Sequence, residues 1–398
     1  MPITKLPGVY YDEKVTYELT GEGSKIPVII GATGNSGTET YKVDGTVIRK
    51  FTGWDDVNKP TTADTPGIGV WSEGTTNQLS QFLYEFFQEA KLQVNSDVGV
   101  PHIYVIDVGD GKTKASWLNA LDTAKTKFDA TVEIYVGADN ITSYTLKAFL
   151  DGAYLGSATA PGTRGIFPET KDLDLRCGFT TINYLSPNSV TDAQLIALTN
   201  ESTGVQYSRI GICEPLFFGK TMARICCTPA NIEPGYLEYR SVEPGEFKDR
   251  TKAQMLLLQN AGIIFNRDEH INGNIYPKLN LCVSTSFAKA VGSRPADALF
   301  HARFNSDSLL REVFEACYHQ IKANESATNL AYLQTRINKI VNDRVSAEEF
   351  IKFNEKTEEG TKLVVNQSDA DPYSLIITGQ MQPQKCTVAI EVQATVKI

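Results

Sequence analysis

Apolar positions in the middle of the chain switch repeatedly between the spacing of a helix and that of a buried strand. Helical spacing links Leu79, Phe82, Leu83, Phe86, Phe87 and Ala90, and then Trp117, Leu121, Ala124 and Phe128. Further helices are predicted at 143–155 and 191–198, and buried strands at 102–108, 131–137, 179–185 and 208–215. This alternation predicts an α/β domain with a largely parallel sheet between helices.

The last third of the chain has a different pattern. One amphipathic helix is indicated by Leu309, Leu310, Val313, Phe314, Cys317, Tyr318 and Ile321, and a second by Leu330, Leu333, Ile337 and Ile340. A third is predicted to begin at Ser346, because its hydroxyl can cap a helix to which Glu349 reaches back. Strands are predicted at 361–365 and 373–378, so an α+β module follows the α/β domain.

Both termini show the period of two that is typical of a strand with one buried face. The apolar side carries Val388, Ile390, Val392, Ala394, Val396 and Ile398 at the C-terminus, and Val9, Tyr11, Val15, Tyr17 and Leu19 at the N-terminus. Glu13 is the one break on the apolar N-terminal face. Terminal strands need a sheet to hold them, and that sheet can belong to the same subunit or to a neighbouring copy.

Composition narrows the classes of function. The chain has 398 residues, 41% of them hydrophobic, which suits two or three folded domains. Its formal charge is −9 without a basic stripe, which argues against nucleic acid as a direct ligand. No apolar run approaches the roughly 20 residues of a membrane-spanning helix, so membrane insertion is not expected. The N-terminus lacks signal-peptide features, and synthesis in a cytoplasm is expected.

The sequence offers little for catalysis, cofactor binding or metal binding. Gly31, Gly34 and Gly37 follow an apolar run as in a dinucleotide-binding turn, but 38–51 alternate like a strand and supply no phosphate-binding helix. Ser36 precedes the first histidine, which is the reverse of the order in trypsin-like proteases. The seven cysteines form no CxxC pair and are predicted to be separate buried thiols. No catalytic, cofactor or metal site is therefore predicted.

Several segments together resemble contractile-tail sheath proteins. They are PGVYYDE at 7–13, IPVIIGATGNSG at 26–37, GVPHIYVIDV at 99–108, the long stretch at 248–277, SAEEFIKFNEKTEEG at 346–360 and ITGQMQPQKCTVAIEVQ at 377–393. These matches span nearly the whole chain and occur in the family's order. The resemblance rests on the combination of these segments.

The resemblance implies a domain organisation. Residues 1–22 would form an N-terminal arm, 23–97 a segment packing on the α/β domain, and 98–275 a subtilisin-like α/β domain lacking a catalytic site. Residues 276–385 would form the family's conserved C-terminal sheath domain, and 386–398 a C-terminal arm. In the family the two arms cross to neighbouring subunits and complete a sheet there. That role would fall to Val9, Tyr11, Val15, Tyr17, Leu19, Val388, Ile390, Val392 and Val396.

The resemblance also implies a function and partners. The chain would polymerise helically around an inner tube, and contraction from a metastable extended state would drive that tube through a target cell envelope. Partners would be further copies of the chain, the inner tube protein, and baseplate and tail terminator proteins. The particle would be a virion tail or a phage-like device, assembled in the bacterial host cytoplasm.

Two further positions follow from that family model. The predicted helix from Ser346 would face the tube through Glu348, Glu349, Lys352 and Lys356. Cys386 opens the C-terminal arm and could form a thiol link between subunits, although a small buried thiol is the alternative. From another class of protein, a soluble α/β hydrolase-like enzyme or a binding protein with an unrecognised site remains the alternative function.

Overall fold

The computed structural model describes residues 25, 27–32, 47–51, 53–57, 78–92, 103–109, 111–127, 131–142, 145–155, 176–200, 204–230, 232–287, 299–318, 327–367 and 375–384. Those up to Arg303 form one compact unit, and those from Phe304 onward form a second. The sequence-based partition places the last domain boundary earlier, after residue 275, and stays a prediction.

The first unit is built on a seven-stranded sheet. Its strands are β1 (Pro27–Gly31), β2 (Val47–Phe51), β3 (Ile103–Asp107), β4 (Val132–Val136), β5 (Cys177–Thr180), β6 (Ile210–Cys213) and β7 (Ile263–Ile264). Their order is β2-β3-β1-β4-β5-β6-β7, and β2 is antiparallel to β3 while the other neighbours are parallel. The predicted, largely parallel sheet is confirmed.

The central strands are apolar because both of their faces are covered. Every residue of β1 and β4 is buried, and Ile29 lies between Val105 of β3 and Ile134 of β4. In the described part of this unit seven α-helices accompany the strands: α1 (Trp54–Val57), α2 (Gln78–Leu92), α3 (Lys114–Lys127), α4 (Leu146–Leu155), α5 (Asp192–Leu198), α6 (Phe218–Cys227) and α7 (Lys252–Asn260). The helices and strands therefore alternate along most of this unit, as the periodicity predicts.

Large aromatic side chains fill the core of this unit. Trp117 of α3 lies 5.4 Å from Phe149 of α4, and Phe149 lies 5.2 Å from Tyr135 of β4, measured between ring centroids. Elsewhere, Phe82 of α2 packs 5.3 Å from Phe218 of α6. The edge-to-face and tilted arrangements of these rings are the ones that aromatic quadrupoles favour.

Two elements of the first unit differ from the sequence-based expectation. The strand expected at 179–185 is β5, which begins at Cys177 and ends at Thr180. The chain then turns, with Asn183 at a φ of 47°. After β7, an antiparallel hairpin joins β8 (Asn266–Ile271) to β9 (Asn274–Leu279). Asn272 and Gly273 form its turn, both with positive φ, which is the sequence signal of a two-residue hairpin loop.

Two long helices and a two-stranded sheet make up most of what the structure describes of the second unit. They are α8 (Phe300–Tyr318), whose first residues belong to the first unit, α9 (Ala327–Ser346), β10 (Lys362–Gln367) and β11 (Leu375–Gln380). The core comprises Leu309, Val313, Leu333, Ile337, Val341, Phe350 and Leu363. The two amphipathic helices and both strands predicted for this region are confirmed.

The third predicted helix, from Ser346, is wrong. Helix α9 ends at Ser346, and residues 347–359 form turns and short bridges instead. Glu348 has a φ of 60°, which an α-helix does not allow, and the Glu349 carboxylate binds Arg344 rather than capping at Ser346. Phe350 is buried in the core of the unit, so packing overrides the local capping pattern.

The close approach of α2 and α6 yields a test. A Cβ at Gly219 would lie 2.6 Å from the Phe82 carbonyl oxygen and 2.6 Å from the Glu85 Cβ, so the helices would have to separate. Gly219→Ala is therefore expected to lower the free energy of unfolding by about 1–3 kcal/mol, the usual cost of overpacking. Urea denaturation measures the change. Gly53→Ala is the control, because no described atom lies within 4 Å of its added Cβ, and equal stability of the two variants would contradict the close packing.

Candidate functional site

The carboxyl edge of the parallel sheet is where an α/β enzyme would bind its substrate. From β1 the parallel strands continue to β3 on one side, and from there to β4 and the later strands on the other side. The direction of the connections therefore reverses between β1 and β4, which is where open α/β sheets bind ligands. After β4, Asp139 accepts a hydrogen bond from the Asn183 N–H at 2.6 Å, and burial raises the pKa of its carboxyl group. The residues after β1, including Gly34, Ser36 and Gly37, lie outside the described part of the chain. A single acceptor with a raised pKa does not make a catalytic arrangement.

A small cavity of about 240 Å³ opens farther along this edge, beside Glu214. Burial raises the pKa of the Glu214 carboxyl group. Its Oε2 accepts from Arg250 Nη2 at 2.7 Å and its Oε1 from the Asn266 N–H at 2.5 Å, while Arg250 Nη2 also lies 3.0 Å from Asp192 Oδ1. Both Glu214 oxygens are thus engaged within the protein, and the network is a closed set of ion pairs.

Buried titratable groups also gather at the C-terminal end of α6. Lys25 donates from Nζ to the carbonyl oxygens of Ile225 and Thr228, each at 2.8 Å, and burial lowers its pKa to about 8. Burial raises the pKa of Glu233 to about 7 and lowers that of His301, also facing the Lys25 charge, to about 4. A cation at the last carbonyls of a helix stabilises that end, so the cluster has a structural explanation.

Cysteine side chains surround the same cluster. Burial raises the pKa of the Cys226 and Cys282 thiols, and brings that of Cys227 to about 12. Five of the six described cysteines are buried, Cys317 is half-buried, and no two of these six are joined in a disulfide. The prediction of separate thiols is confirmed for these six, and Cys386 lies outside the described residues. Thiols held in their neutral form are poor nucleophiles and poor metal ligands.

The described residues contain no group of His, Cys, Asp and Glu side chains that could hold a metal ion. His270 is exposed on β8, and His301 is buried in α8. None of the helices in the described ranges is long and apolar enough to cross a bilayer.

The two-stranded sheet of the second unit presents a different kind of site. Leu363 of β10 lies opposite Gly379 of β11, Val365 opposite Ile377, and Gln367 opposite Leu375. Leu363, Val365 and Ile377 pack towards the core of the unit. The other face carries Lys362, Val364 and Asn366 from β10 and Ile376, Thr378 and Gln380 from β11.

Gln334 of α9 covers the outer side of β10. Its Nε2 donates to the Leu363 carbonyl oxygen at 3.0 Å, and its Oε1 accepts from the Val365 N–H at 2.8 Å. These backbone groups therefore point away from β11. In an antiparallel pair the opposite residues then also point outward, so the N–H and C=O groups of Leu375, Ile377 and Gly379 face the free side of β11.

The free side of β11 lacks the features that normally protect an edge strand. Its sequence, LIITGQ, contains no charged residue and no proline. Leu375 and Ile376 are 38% and 44% exposed. Within the described residues no strand pairs with this side. The sequence signal that could have indicated this edge is the uncharged run at 375–380.

The sequence-predicted site residues fall in two places. Glu348, Lys352 and Lys356 are exposed in the 347–359 turns, whereas Glu349 is held by Arg344. The arm positions Val9, Tyr11, Val15, Tyr17, Leu19, Val388, Ile390, Val392 and Val396, together with Cys386, lie outside the described residues. Their roles stay predictions.

Several solved structures are similar to this chain along nearly its whole length. A chain of the 6-fold symmetrised anti-feeding prophage (AFP) baseplate matches with a TM-score of 0.63 at 13% identity, covering 100% of both chains. The AFP helical sheath in its contracted state matches with a TM-score of 0.61 at 13% identity, over 99% of both chains. The sheath tail protein of Desulfitobacterium hafniense matches with a TM-score of 0.53 at 10% identity, over 95% of this chain and 100% of that one.

No sequence-family model and no curated protein sequence matches the chain. The structural likeness nevertheless extends over the whole chain, and it confirms the resemblance to contractile-tail sheath proteins at the level of the fold.

The buried cluster around Lys25 predicts a pH dependence of stability. The pKa of His301 is about 4 in the folded protein, below its ordinary value of 6.5, so the unfolded chain binds more protons between these values. The stability contributed by neutral His301 is present above pH 6.5 and is lost as the pH falls towards 4. Relative to His301→Gln, the parent protein should lose about 2–3 kcal/mol between pH 7 and pH 4.5.

Urea denaturation of both proteins at the two pH values measures this difference. Glu233 has a raised pKa, so its own contribution changes in the opposite direction, and only the difference between parent and variant isolates His301. The exposed His270 is the control, and His270→Gln should leave the profile unchanged. Parallel profiles for His301→Gln and the parent would contradict the burial of a neutral imidazole.

Proposed function

We propose that this chain, which has the fold of contractile-tail sheath proteins, is the structural subunit of a contractile tail sheath. Copies polymerise helically around an inner tube, and contraction from a metastable extended state drives the tube through a target cell envelope. The observation that carries the proposal is the open, uncharged edge of β11, in a chain whose two termini have the alternation of strands.

Strand exchange between copies links these two features. An extended segment that adds to a free sheet edge gains main-chain hydrogen bonds along its length, and its alternate side chains enter pockets on the acceptor. The β11 edge offers outward N–H and C=O groups beside the exposed Leu375 and Ile376. The donors are the N-terminal arm, with Val9, Tyr11, Val15, Tyr17 and Leu19, and the C-terminal arm, with Val388, Ile390, Val392 and Val396.

The energy for contraction is stored during assembly. Packed interfaces are bistable, so each ring can pull its neighbour from the extended into the contracted packing through the linked arms. The chain then works without a cofactor and without catalysis. Its further partners are the inner tube protein and the baseplate and tail terminator proteins, and it contacts neither nucleic acid nor a membrane interior. The exposed Glu348, Lys352 and Lys356 are candidates for the tube contact.

The cavity beside Glu214 favours a second candidate, a soluble α/β hydrolase-like enzyme or binding protein. Arg250 and Asn266 already engage both oxygens of Glu214, so this carboxylate is not available as a general base. The sheath subunit therefore has the stronger support.

Truncation of either arm tests the proposed function. Deleting residues 1–20 or 386–398 should leave a soluble, folded monomer that forms no tubes, because the donated strand is gone while both cores remain. Circular dichroism and negative-stain microscopy of each variant beside the parent measure folding and assembly. Sheaths of normal length from either truncated chain would contradict strand donation by that terminus.

A change of one backbone group tests the acceptor edge. Leu375→Pro removes an outward-facing N–H at the first residue of β11, a strand position that tolerates proline. The monomer should keep its melting temperature, while polymer yield in sedimentation should fall by at least about tenfold, since an acceptor site that lacks one of its hydrogen bonds binds more weakly.

The matched control for that edge is Leu375→Ala, which removes the same side chain and keeps the N–H. It should assemble at close to the parent level. Equal losses in both variants would assign the effect to the leucine side chain, and no loss in either would place the acceptor elsewhere.

A further inference from the structure

Glu349 is the point at which several segments of the second unit meet. Its carboxylate accepts a hydrogen bond from Arg344 Nη1 at 2.6 Å. Its carbonyl oxygen accepts from the Gln384 N–H at 2.9 Å and from Asn305 Nδ2 at 3.0 Å. One residue therefore contacts α8, the end of α9 and the last described segment of the chain.

Arg344 connects this point to helix α8. Its Nε donates to Glu312 Oε2 at 3.2 Å, and its Nη2 donates to Ser308 Oγ at 2.9 Å and to Glu312 Oε1. The side chains of Arg344 and Glu349 are 13% and 11% exposed, so water screens their ion pair only weakly. A planar guanidinium that bonds two carboxylates holds both in a defined geometry.

Helix α8 carries a polar stripe that suits this arrangement. Asn305, Ser308 and Glu312 are spaced by three and four residues, so they lie on one face of the helix. Leu309 and Val313 form the neighbouring apolar stripe in the core. The polar residues of α8 thus bind residues 344–349, and the apolar residues of α8 pack in the core.

Backbone pairing extends the contact to the segment before the C-terminal arm. The Ile351 N–H donates to the Gln382 carbonyl oxygen at 2.9 Å, and Phe350 pairs with Pro383 in an antiparallel bridge. The Thr361 hydroxyl accepts from the Gln382 N–H at 2.9 Å. Residues 382–384 are therefore held by hydrogen bonds to Glu349, Ile351 and Thr361.

We propose that Glu349, Arg344 and Glu312 form a clamp that fixes where and in which direction the C-terminal arm leaves the second unit. This inference rests on the proposed sheath function and adds a positioning role to it. A donated strand reaches a neighbour in register only if its root has a defined position and direction, because a flexible root lowers the effective concentration of the arm at its acceptor. The clamp gives the root of the arm a fixed position and direction at Gln384.

The same clamp gives Glu349 a different role from the predicted tube contact. Its carboxylate faces Arg344 inside the unit, whereas Glu348, Lys352 and Lys356 of the same segment are exposed. Glu349 therefore acts within the subunit, through the position of the arm.

The test compares Glu349→Gln with Glu355→Gln in the full-length chain. Both remove one carboxylate charge from the same segment, but Glu355 is exposed and lies in the turn after Asn354. Hydrogen–deuterium exchange is measured on peptides covering Ile351 and Gln384, at a protein concentration below that of polymerisation. Glu349→Gln should raise exchange of these amides roughly tenfold, since it weakens a charge-assisted hydrogen bond, while amides of the first unit stay unchanged.

Assembly is then measured without the tube protein. Glu349→Gln should lower the yield of sheath polymers or change their helical rise in electron micrographs, and Glu355→Gln should match the parent. Arg344→Lys, which keeps the charge but loses the two-carboxylate geometry, should fall between them and serves as the second variant if Glu349→Gln does not fold.

Two results would overturn the clamp. One is equal exchange in Glu349→Gln and Glu355→Gln. The other is raised exchange with parent-like polymers, which would show that assembly does not depend on the arm root. Failure of the parent chain itself to polymerise would instead overturn the proposed function, and the positioning role with it.

Discussion

A buried strand must pair its backbone N–H and C=O groups, because no water reaches them there. The first unit meets this requirement with six parallel strands, in which β1 and β4 are buried along their whole length. Among the described residues its sheet ends at β2 and at β7, which has only two residues, and a very short edge discourages further pairing. In the second unit the edge strand β11 is six residues long, and no described strand pairs with its outer side.

Several charged groups buried in the first unit are held by ion pairs and hydrogen bonds within the protein. Arg250 links Asp192 to Glu214, Lys25 binds the last carbonyls of α6, and the Arg176 guanidinium is paired with Glu133 inside the sheet. Removing one member of such a pair leaves a buried charge without a partner, which makes the networks resistant to rearrangement. At the carboxyl end of β6, ion pairs and hydrogen bonds engage both carboxylate oxygens of Glu214.

Much of this architecture could be predicted, because the hydrophobic period reports directly on burial. The runs at 102–108 and 131–137 became β3 and β4, and the stripes of Leu309 and Leu333 became α8 and α9. The hairpin at Asn272 and Gly273 carried a recognisable turn signal that the sequence analysis did not use. The candidate site was harder to predict. Gln334, which is 41 residues away from Leu375 along the chain, takes the outer side of β10, so among the described residues only the outer side of β11 is left unpaired in this sheet.

The sequence by itself determined the alternation of helices and strands, the apolar character of the central sheet and the resemblance to sheath proteins, because these follow from local spacing and motif order. Tertiary structure alone decided that residues 347–359 form turns and short bridges rather than a helix that starts at Ser346. Ser346 and Glu349 have the spacing of a capping box, yet Arg344 offers Glu349 a stronger, charge-assisted partner, and Phe350 gains burial in the core only if the helix stops. A local capping interaction contributes about 1 kcal/mol, and burial of a phenylalanine together with an ion pair exceeds it.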